Sequence, residues 1–251
     1  MSIIEGFFLS IIQGISEWLP ISSSGHLVLV ESLLQLEVGL SFDVFLHTAS
    51  LVVILFFFRK EIIEVFKITF IKKEKDHPRK NWFWYIVISS IFTVAIALLL
   101  YPNIDYFRNT SSVANWLLIT SALVFSTRLA VGKEQNITWW HAAALGLAQG
   151  FAVLPGLSRS GAVIAIALAM KIKKDQVFDY AFLVAIPAIL GSFILTARDL
   201  NFEWVYLFSF VVTIFVSYLS LSLLKFIMKR DKFYLFFIYT LVLALVIKFL
   251  L

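Results

Sequence analysis

The sequence predicts an all-α membrane protein: six transmembrane helices plus two re-entrant helical hairpins, related as inverted-topology repeats. Three observations carry that prediction. Of the 251 residues, 61% are hydrophobic and only 15% are charged, whereas a soluble domain is about half apolar and about a quarter charged. That much apolar surface cannot be hidden in one core at this length, so lipid is the natural solvent. Six apolar runs are long enough, or nearly so, to cross about 30 Å of hydrocarbon. Two further apolar regions are interrupted by polar, helix-breaking tips that recur at a constant spacing. A single membrane domain, 1–251, accounts for the length, with a first repeat over about 1–131 and a second over about 137–251.

The first interrupted region is 3–36, which breaks at Pro20 and continues through Ser22, Ser23, Ser24 and Gly25. Each flank is too short to cross comfortably by itself. The physical reading is a re-entrant hairpin, whose non-helical tip is tolerated only inside protein or beside a wet cavity. Spans are then expected over roughly 42–58, 82–101 and 113–131. The second interrupted region, 139–172, breaks at Pro155 and Gly156 and continues through Ser158, Arg159, Ser160 and Gly161. Spans over roughly 180–197, 204–227 and 233–251 complete the chain. Trp82, Trp84, Trp139, Trp140 and Trp204 fall at span ends, where interface anchors belong.

The two interruptions are copies. A shift of 136 positions, without a gap, matches Gln13 with Gln149, Gly14 with Gly150, Ser22 with Ser158, and Ser24 with Ser160. It also matches Gly25 with Gly161, Phe42 with Phe178 and Asp43 with Asp179. Chance matches in so apolar a chain would be Leu, Ile, Val or Phe, yet six of these seven are Gln, Gly, Ser or Asp. Internal repeats of this kind are common in transport folds.

Charge orients the repeats. The segment 59–81 carries eight cations: Arg59, Lys60, Lys67, Lys72, Lys73, Lys75, Arg79 and Lys80. The positive-inside rule makes it cytoplasmic. Residues 1–58 hold five acids and no Lys or Arg, so the first hairpin is expected to enter from the outer side. Each repeat is one hairpin plus three spans, and three is odd, so the second copy is upside down and enters from the cytoplasm. Inverted repeats bring their broken helices together near the midplane, so the two polar tips are expected to meet. The basic loop reads as topology and anionic-lipid contact, not as a nucleic-acid site. The absence of cysteine excludes disulfides, thiolate metal sites and thiol catalysis. No basic residue precedes Arg59, so no secretory signal pattern is expected.

The tips carry the chemistry. Gln13 and Glu17 are four apart and share a helix face. After Pro20, Ser22, Ser23, Ser24 and Gly25 begin a new helix, whose free N–H groups and partial positive charge suit an anion. His26 lies in its first turn. The second tip repeats the design with Ser158, Ser160 and Gly161, and adds Arg159, whose fork of donors suits phosphate or carboxylate. These groups converging at membrane depth describe an acidic phosphate ligand. A carboxylate beside phosphates also suggests a bridging divalent cation with oxygen ligands, Mg2+ or Ca2+. Asp43 and Asp179 read first as helix N-caps and His47 as structural.

These stretches resemble a known family. Gln13-x-x-x-Glu17 followed by Leu19-Pro20-Ile21-Ser22-Ser23-Ser24-Gly25-His26 resembles the first signature of undecaprenyl-diphosphate phosphatases of the bacitracin-resistance type. Pro155-Gly156-Leu157-Ser158-Arg159-Ser160-Gly161-Ala162 resembles their second. Phe42-Asp43-Val44-x-Leu46-His47 and Phe182-Leu183-x-Ala185-Ile186-Pro187 are similar to further landmarks. Gln13 stands where many members carry Glu, so the resemblance implies Glu17 and Gln13 as the protein ligands of the cation, and Val163 stands where the signature often ends in Thr.

The resemblance implies a multi-pass enzyme of the plasma (inner) membrane. It would hydrolyse undecaprenyl (polyprenyl) diphosphate to the monophosphate and inorganic phosphate, recycling the lipid carrier of peptidoglycan synthesis and conferring bacitracin resistance. Catalysis maps to Glu17, Ser23 and His26, with either Ser23 or His26 as the nucleophile. Substrate binding maps to Arg159 with Ser22, Ser24, Gly25, Ser158, Ser160 and Gly161. The expected partners are the lipid substrate and the bilayer, with a homodimer left open. The rival expectation is a transporter or flippase for a phosphorylated polyprenyl lipid, because inverted repeats with broken helices serve transport equally well.

Overall fold

Pro20 and the Pro155-Gly156 pair each divide an apolar stretch into two short helices. In the first, α1 (Ile3–Ser16) leads through a turn to α2 (Ser23–Leu34). The chain then runs through α3 (Leu40–Phe57), α4 (Arg59–Phe66), α5 (Trp82–Leu100), α6 (Ile104–Phe107) and α7 (Thr110–Ser126). The second interruption gives α8 (Trp139–Phe151) and α9 (Arg159–Ala169), followed by α10 (Lys174–Leu183), α11 (Ala185–Thr196), α12 (Trp204–Lys229) and α13 (Phe236–Leu250). The computed structural model describes residues 2–36, 40–72, 76–130, 132, 134–199 and 203–250; Lys73 and Lys75 of the basic segment lie outside them.

Among the described residues, six helical stretches are long and apolar enough to cross a membrane: Leu40–Phe57, Trp82–Phe107, Thr110–Leu129, Lys174–Thr196, Trp204–Lys229 and Phe233–Leu250. The fourth begins earlier than its apolar content suggested, because Lys174 and Asp175 already belong to α10, which meets α11 at Val184. The four arms α1, α2, α8 and α9 have 11 to 14 residues, or roughly 17–21 Å of helix, well short of the hydrocarbon thickness.

The core is apolar, but large apolar side chains also cover the outside and hydroxyls lie within. Ser10, Gln13, Ser50, Ser89, Thr120, Thr213, Ser217 and Thr240 are fully buried, while Leu99, Phe215 and Phe249 are exposed. The interior hydroxyls join helices: Ser50 Oγ lies 3.0 Å from Ser217 Oγ, and Ser89 Oγ donates to the Ala142 carbonyl at 2.7 Å. Small residues let backbones approach, as in other helix packings without water. A Cβ on Gly14 would lie 2.7 Å from Val216 Cβ, and one on Gly150 would lie 2.6 Å from Ile96 Cβ. Thus α1 packs on α12 and α8 on α5. The first arm of each interrupted pair leans on a span from the other half of the chain.

Two expectations are corrected. Trp82 is not an interface anchor: it is fully buried, edge-on to Tyr180 with the Arg79 guanidinium above it. Trp84, Trp139, Trp140 and Trp204 are exposed. Asp43 and Asp179 are not N-caps. Each lies inside its helix and takes an arginine instead, Arg108 at 2.9 Å and Arg79 at 2.5 Å respectively. A buried carboxylate with a guanidinium in reach gains more from a charge-assisted bond than from a backbone N–H.

Candidate active site

The two tips touch. Ser22 has a positive φ of 70° and caps α2, its Oγ accepting from Gly25 N at 3.3 Å. The same Oγ accepts from Gly156 N of the other tip at 3.1 Å. Ser158 caps α9 in the same way, accepting from Gly161 N at 3.1 Å, and Ser160 Oγ donates to the Leu19 carbonyl at 3.2 Å. Thr120, from α7, locks the second tip: its hydroxyl donates to the Gly156 carbonyl at 2.8 Å and accepts from Ser158 N at 2.9 Å. A Cβ on Gly25 would sit 3.0 Å from Gly156 Cα and N, so glycine here is a condition of contact between the tips.

At this contact lies Glu17, immediately after α1, with its side chain buried. One carboxylate oxygen, Oε1, is held by Arg159 Nη2. The other, Oε2, accepts from Ser23 Oγ at 2.7 Å and from Gln13 Nε2 at 2.9 Å. His47 Nε2 lies 3.3 Å from the same oxygen, and its Nδ1–H donates to the Asp43 carbonyl at 2.7 Å, which fixes the ring. Arg159 also lies over the buried Trp18 ring, 5.7 Å from its centroid. Glu17, Ser22, Ser23, Ser24, Asp43, His47, Arg108, Gln149, Ser158 and Arg159 are among the residues that line a cavity of about 210 Å³.

Glu17, Ser23 and Arg159 are therefore brought into direct contact, with Ser22, Ser24 and Ser158 around the same space. Gly25, Ser160 and Gly161 build the contact between tips. His26 is turned elsewhere: its Nδ1–H donates to the Ser22 carbonyl at 2.8 Å, so Nε2 accepts from Tyr239 Oη at 2.7 Å, with the two rings stacked. The halves are also unequal in substance. A shift of 136 sets Arg159 where the first tip has Ser23, Val153 where it has Glu17 and Ala162 where it has His26. Gln149, lacking a carboxylate beside it, donates instead to Thr93 Oγ1 and to the Val184 carbonyl, each at 3.1 Å.

Beside the cavity, Arg108 bridges Glu31 at 2.8 Å and Asp43 at 2.9 Å. Glu31 closes the last full turn of α2, outside the six spans. Burial, and then the neighbouring Asp43 carboxylate, push it up to about 8. Sequence reasoning missed His47, Arg108 and Tyr239 as site neighbours. His47 gave one signal, an ionisable ring in a span four residues after Asp43. Arg108 gave another, as the one cation between residues 81 and 128.

A divalent cation fits these residues in part. Gln13 Oε1 is buried without a partner beside the Glu17 carboxylate, an unmet oxygen where a hard cation would be welcome. Among the described residues no three His, Asp or Glu side chains form a ready-made metal cluster, so phosphate oxygens would have to complete the shell, as they commonly do for Mg2+.

Residues 6–246 match the family described as bacitracin resistance protein BacA. The chain belongs to the BacA family. Among its relatives, the undecaprenyl-diphosphatase of Methanosphaera stadtmanae is 37% identical, over 91% of each chain. Undecaprenyl-diphosphatase 2 of Halalkalibacterium halodurans is 35% identical, over 99% of this chain and 96% of the relative. The undecaprenyl-diphosphatase of Thermosipho africanus is 34% identical, over 95% and 96%. The family match thus covers both tips, five of the apolar spans and all but the last four residues of the sixth, and the chain is a multi-pass membrane protein.

Proposed function

We propose that this BacA-family protein hydrolyses undecaprenyl diphosphate to undecaprenyl phosphate and inorganic phosphate, recycling the lipid carrier of the cell wall at the plasma membrane. The observation that carries the reading is the bond from Ser23 Oγ to Glu17, made beside Arg159 where two helix N-termini meet. A hydroxyl aimed at a carboxylate is an activated nucleophile. A guanidinium and the N–H groups of two helix starts around one cavity are an anion clamp.

In this mechanism the terminal phosphoryl group lies against Arg159 and the first turns of α2 and α9. Glu17 withdraws the Ser23 proton as Oγ bonds to phosphorus. The bond from phosphorus to the bridging oxygen breaks, and undecaprenyl phosphate leaves with the proton from Glu17, which returns to carboxylate. Glu17 then deprotonates the water that attacks the phosphoserine phosphorus; the bond from phosphorus to Oγ breaks, and Glu17 returns that proton to Ser23 as phosphate leaves. Charge stabilisation is the main contribution for this chemistry. A divalent cation held by Glu17 and Gln13 would supply further neutralisation of the phosphate oxygens. His26, bonded to Ser22 and Tyr239, holds the start of α2 in place. A carrier that only moves lipid has no use for Ser23 against Glu17, so the transport reading is not retained.

The site is assigned to the outer side, with 59–81 cytoplasmic and the halves inverted. Support comes from α5, which leads from just after Arg79 towards Arg108, across about 28 Å of helix. Asp179 pairs with Arg79 and Asp43 with Arg108. Two residues related by the 136-residue shift therefore bind at opposite ends of one span, which is what an inverted repeat requires. The cavity holding Glu17 is lined by Arg108, not by Arg79.

The test is to quench the purified enzyme during turnover of substrate labelled in its terminal phosphate and to locate the label. Label on Ser23, absent in Ser23→Ala, supports the reading. Label on His26 would reassign the nucleophile.

A further inference from the structure

We propose that the seam between α5 and α11 is the passage for the polyprenyl chain, which lies in a groove on the lipid-facing side of that seam. The proposal rests on the hydrolase reading above and extends it from the head group to the tail. The groove has a volume of about 800 Å³ and is walled by α5, α11 and the α4 residues Ile62, Val65 and Phe66. Its single polar side chain, Ser90, is already satisfied by the Ile86 carbonyl at 2.7 Å. Nothing in it asks for a hydrogen bond, so its occupant is pure hydrocarbon. Along α5 it extends from Phe83 to Ala95, or about 18 Å, the proportions of a chain rather than a compact ligand.

Continuity with the reacting cavity identifies which hydrocarbon. Val94 and Ala95 line the groove, while their neighbours Thr93 and Ala97 line the cavity that holds Glu17 and Arg159. On α11, Pro187 and Leu190 line the groove, while Ala188 and Ser192 line the cavity. The two spaces are thus opposite sides of one helix–helix seam. Small residues lie along that seam: Ala95 and Ala97 on α5, Ala188 and Ser192 on α11. Pro187 removes a backbone donor where α10 gives way to α11, and Gln149, a cavity residue, donates to the Val184 carbonyl at that break. A diphosphate seated in the cavity with its chain leaving through this seam would bury the chain in the groove.

The test compares undecaprenyl diphosphate with geranyl diphosphate, whose chain is too short to fill the groove, using detergent-purified wild type, Val87→Trp and Leu98→Trp. Val87 lines the groove eight residues, or about 12 Å, from Ala95 at its cavity end, beyond the reach of a geranyl chain. Leu98 is exposed on the same helix but lines neither space. A Trp that displaces several buried methylenes of the tail raises KM for undecaprenyl diphosphate by about tenfold or more. Hydrolysis of geranyl diphosphate stays within about twofold, which also shows that the variant is folded, and Leu98→Trp matches wild type on both. Equal effects of Val87→Trp on both substrates, or equal effects of the two Trp variants, overturn the proposal. A second arm needs no turnover: undecaprenyl phosphate with a photoreactive group on its chain labels α5 and α11 in wild type, and less in Val87→Trp. Labelling spread over all lipid-facing helices overturns the groove even if hydrolysis is normal. Selective labelling without any phosphate release keeps the groove and overturns the hydrolase.

Discussion

Ser23 and Arg159 hold equivalent places in the two tips, 136 residues apart, and both bind Glu17: Ser23 through Oε2 at 2.7 Å, Arg159 through Oε1. One repeated position carries a hydroxyl in one copy and a guanidinium in the other, which the proposed mechanism uses as nucleophile and anion clamp. Glu17→Gln keeps the shape but removes the base and the charge. Phosphate release by the purified variant is expected to fall by about a hundredfold to ten-thousandfold, the usual worth of a positioned general base. Full activity would exclude Glu17 from the reaction.

Arg159→Lys keeps the positive charge and loses the planar fork. If the guanidinium stabilises charge that develops on the phosphoryl group, kcat falls by about a hundredfold or more. A change confined to KM would instead make Arg159 a ground-state binder, read directly from the split between the two constants.

The tips also make a packing prediction. Gly25→Ala places a methyl 3.0 Å from the Gly156 backbone. Neither side can yield without parting Ser22 from Gly156 N. Overpacking of this kind costs about 1–3 kcal/mol, so the variant should melt earlier in detergent and lose activity together. Gly191→Ala, with open space around it, is the control and should leave melting within about 0.5 kcal/mol of wild type.

Much of this was legible in the sequence, for a physical reason. Lipid charges heavily for Glu17, Arg159 and a run of serines at depth, so those residues stand out against an apolar chain, and Pro20 and Pro155 mark where the helices stop. Contacts across the bundle were not legible. His26 meets Tyr239 across 213 residues, and Arg108 meets Glu31 across 77. Both depend on which helices pack together, which no local pattern encodes. Trp82 misled for the same reason: its position at a span end is an interface signal, but the facing Tyr180 and Arg79 bury it.

The Glu31–Arg108–Asp43 cluster gives stability a pH dependence. Glu31 holds its proton up to about 8 in the folded protein, against 4.5 unfolded. Between these values the folded state binds the extra proton, so stability falls as pH rises through the window and levels off above it. Melting in detergent across that range should show the decline, and Glu31→Gln should flatten it. A decline unchanged in Glu31→Gln would place its origin elsewhere.

Gln13 makes the metal question experimental. Its Oε1 is buried and unpartnered while its Nε2 serves Glu17, so the amide offers a cation one neutral oxygen where many family members offer a carboxylate. Chelation should lower phosphate release by the wild type, and Mg2+ or Ca2+ should restore it. Gln13→Glu adds a negative ligand, and ligand charge is a main determinant of affinity for hard cations. Half-saturation by the metal should therefore drop by about tenfold. The added carboxylate also sets two like charges four residues apart across the last turn of α1 and its cap, close enough to repel. The same variant should therefore melt earlier than wild type in chelator and recover when the cation is supplied. If the metal-free and metal-loaded variant melt alike, the cation does not sit between residues 13 and 17, and Gln13 serves only to orient Glu17.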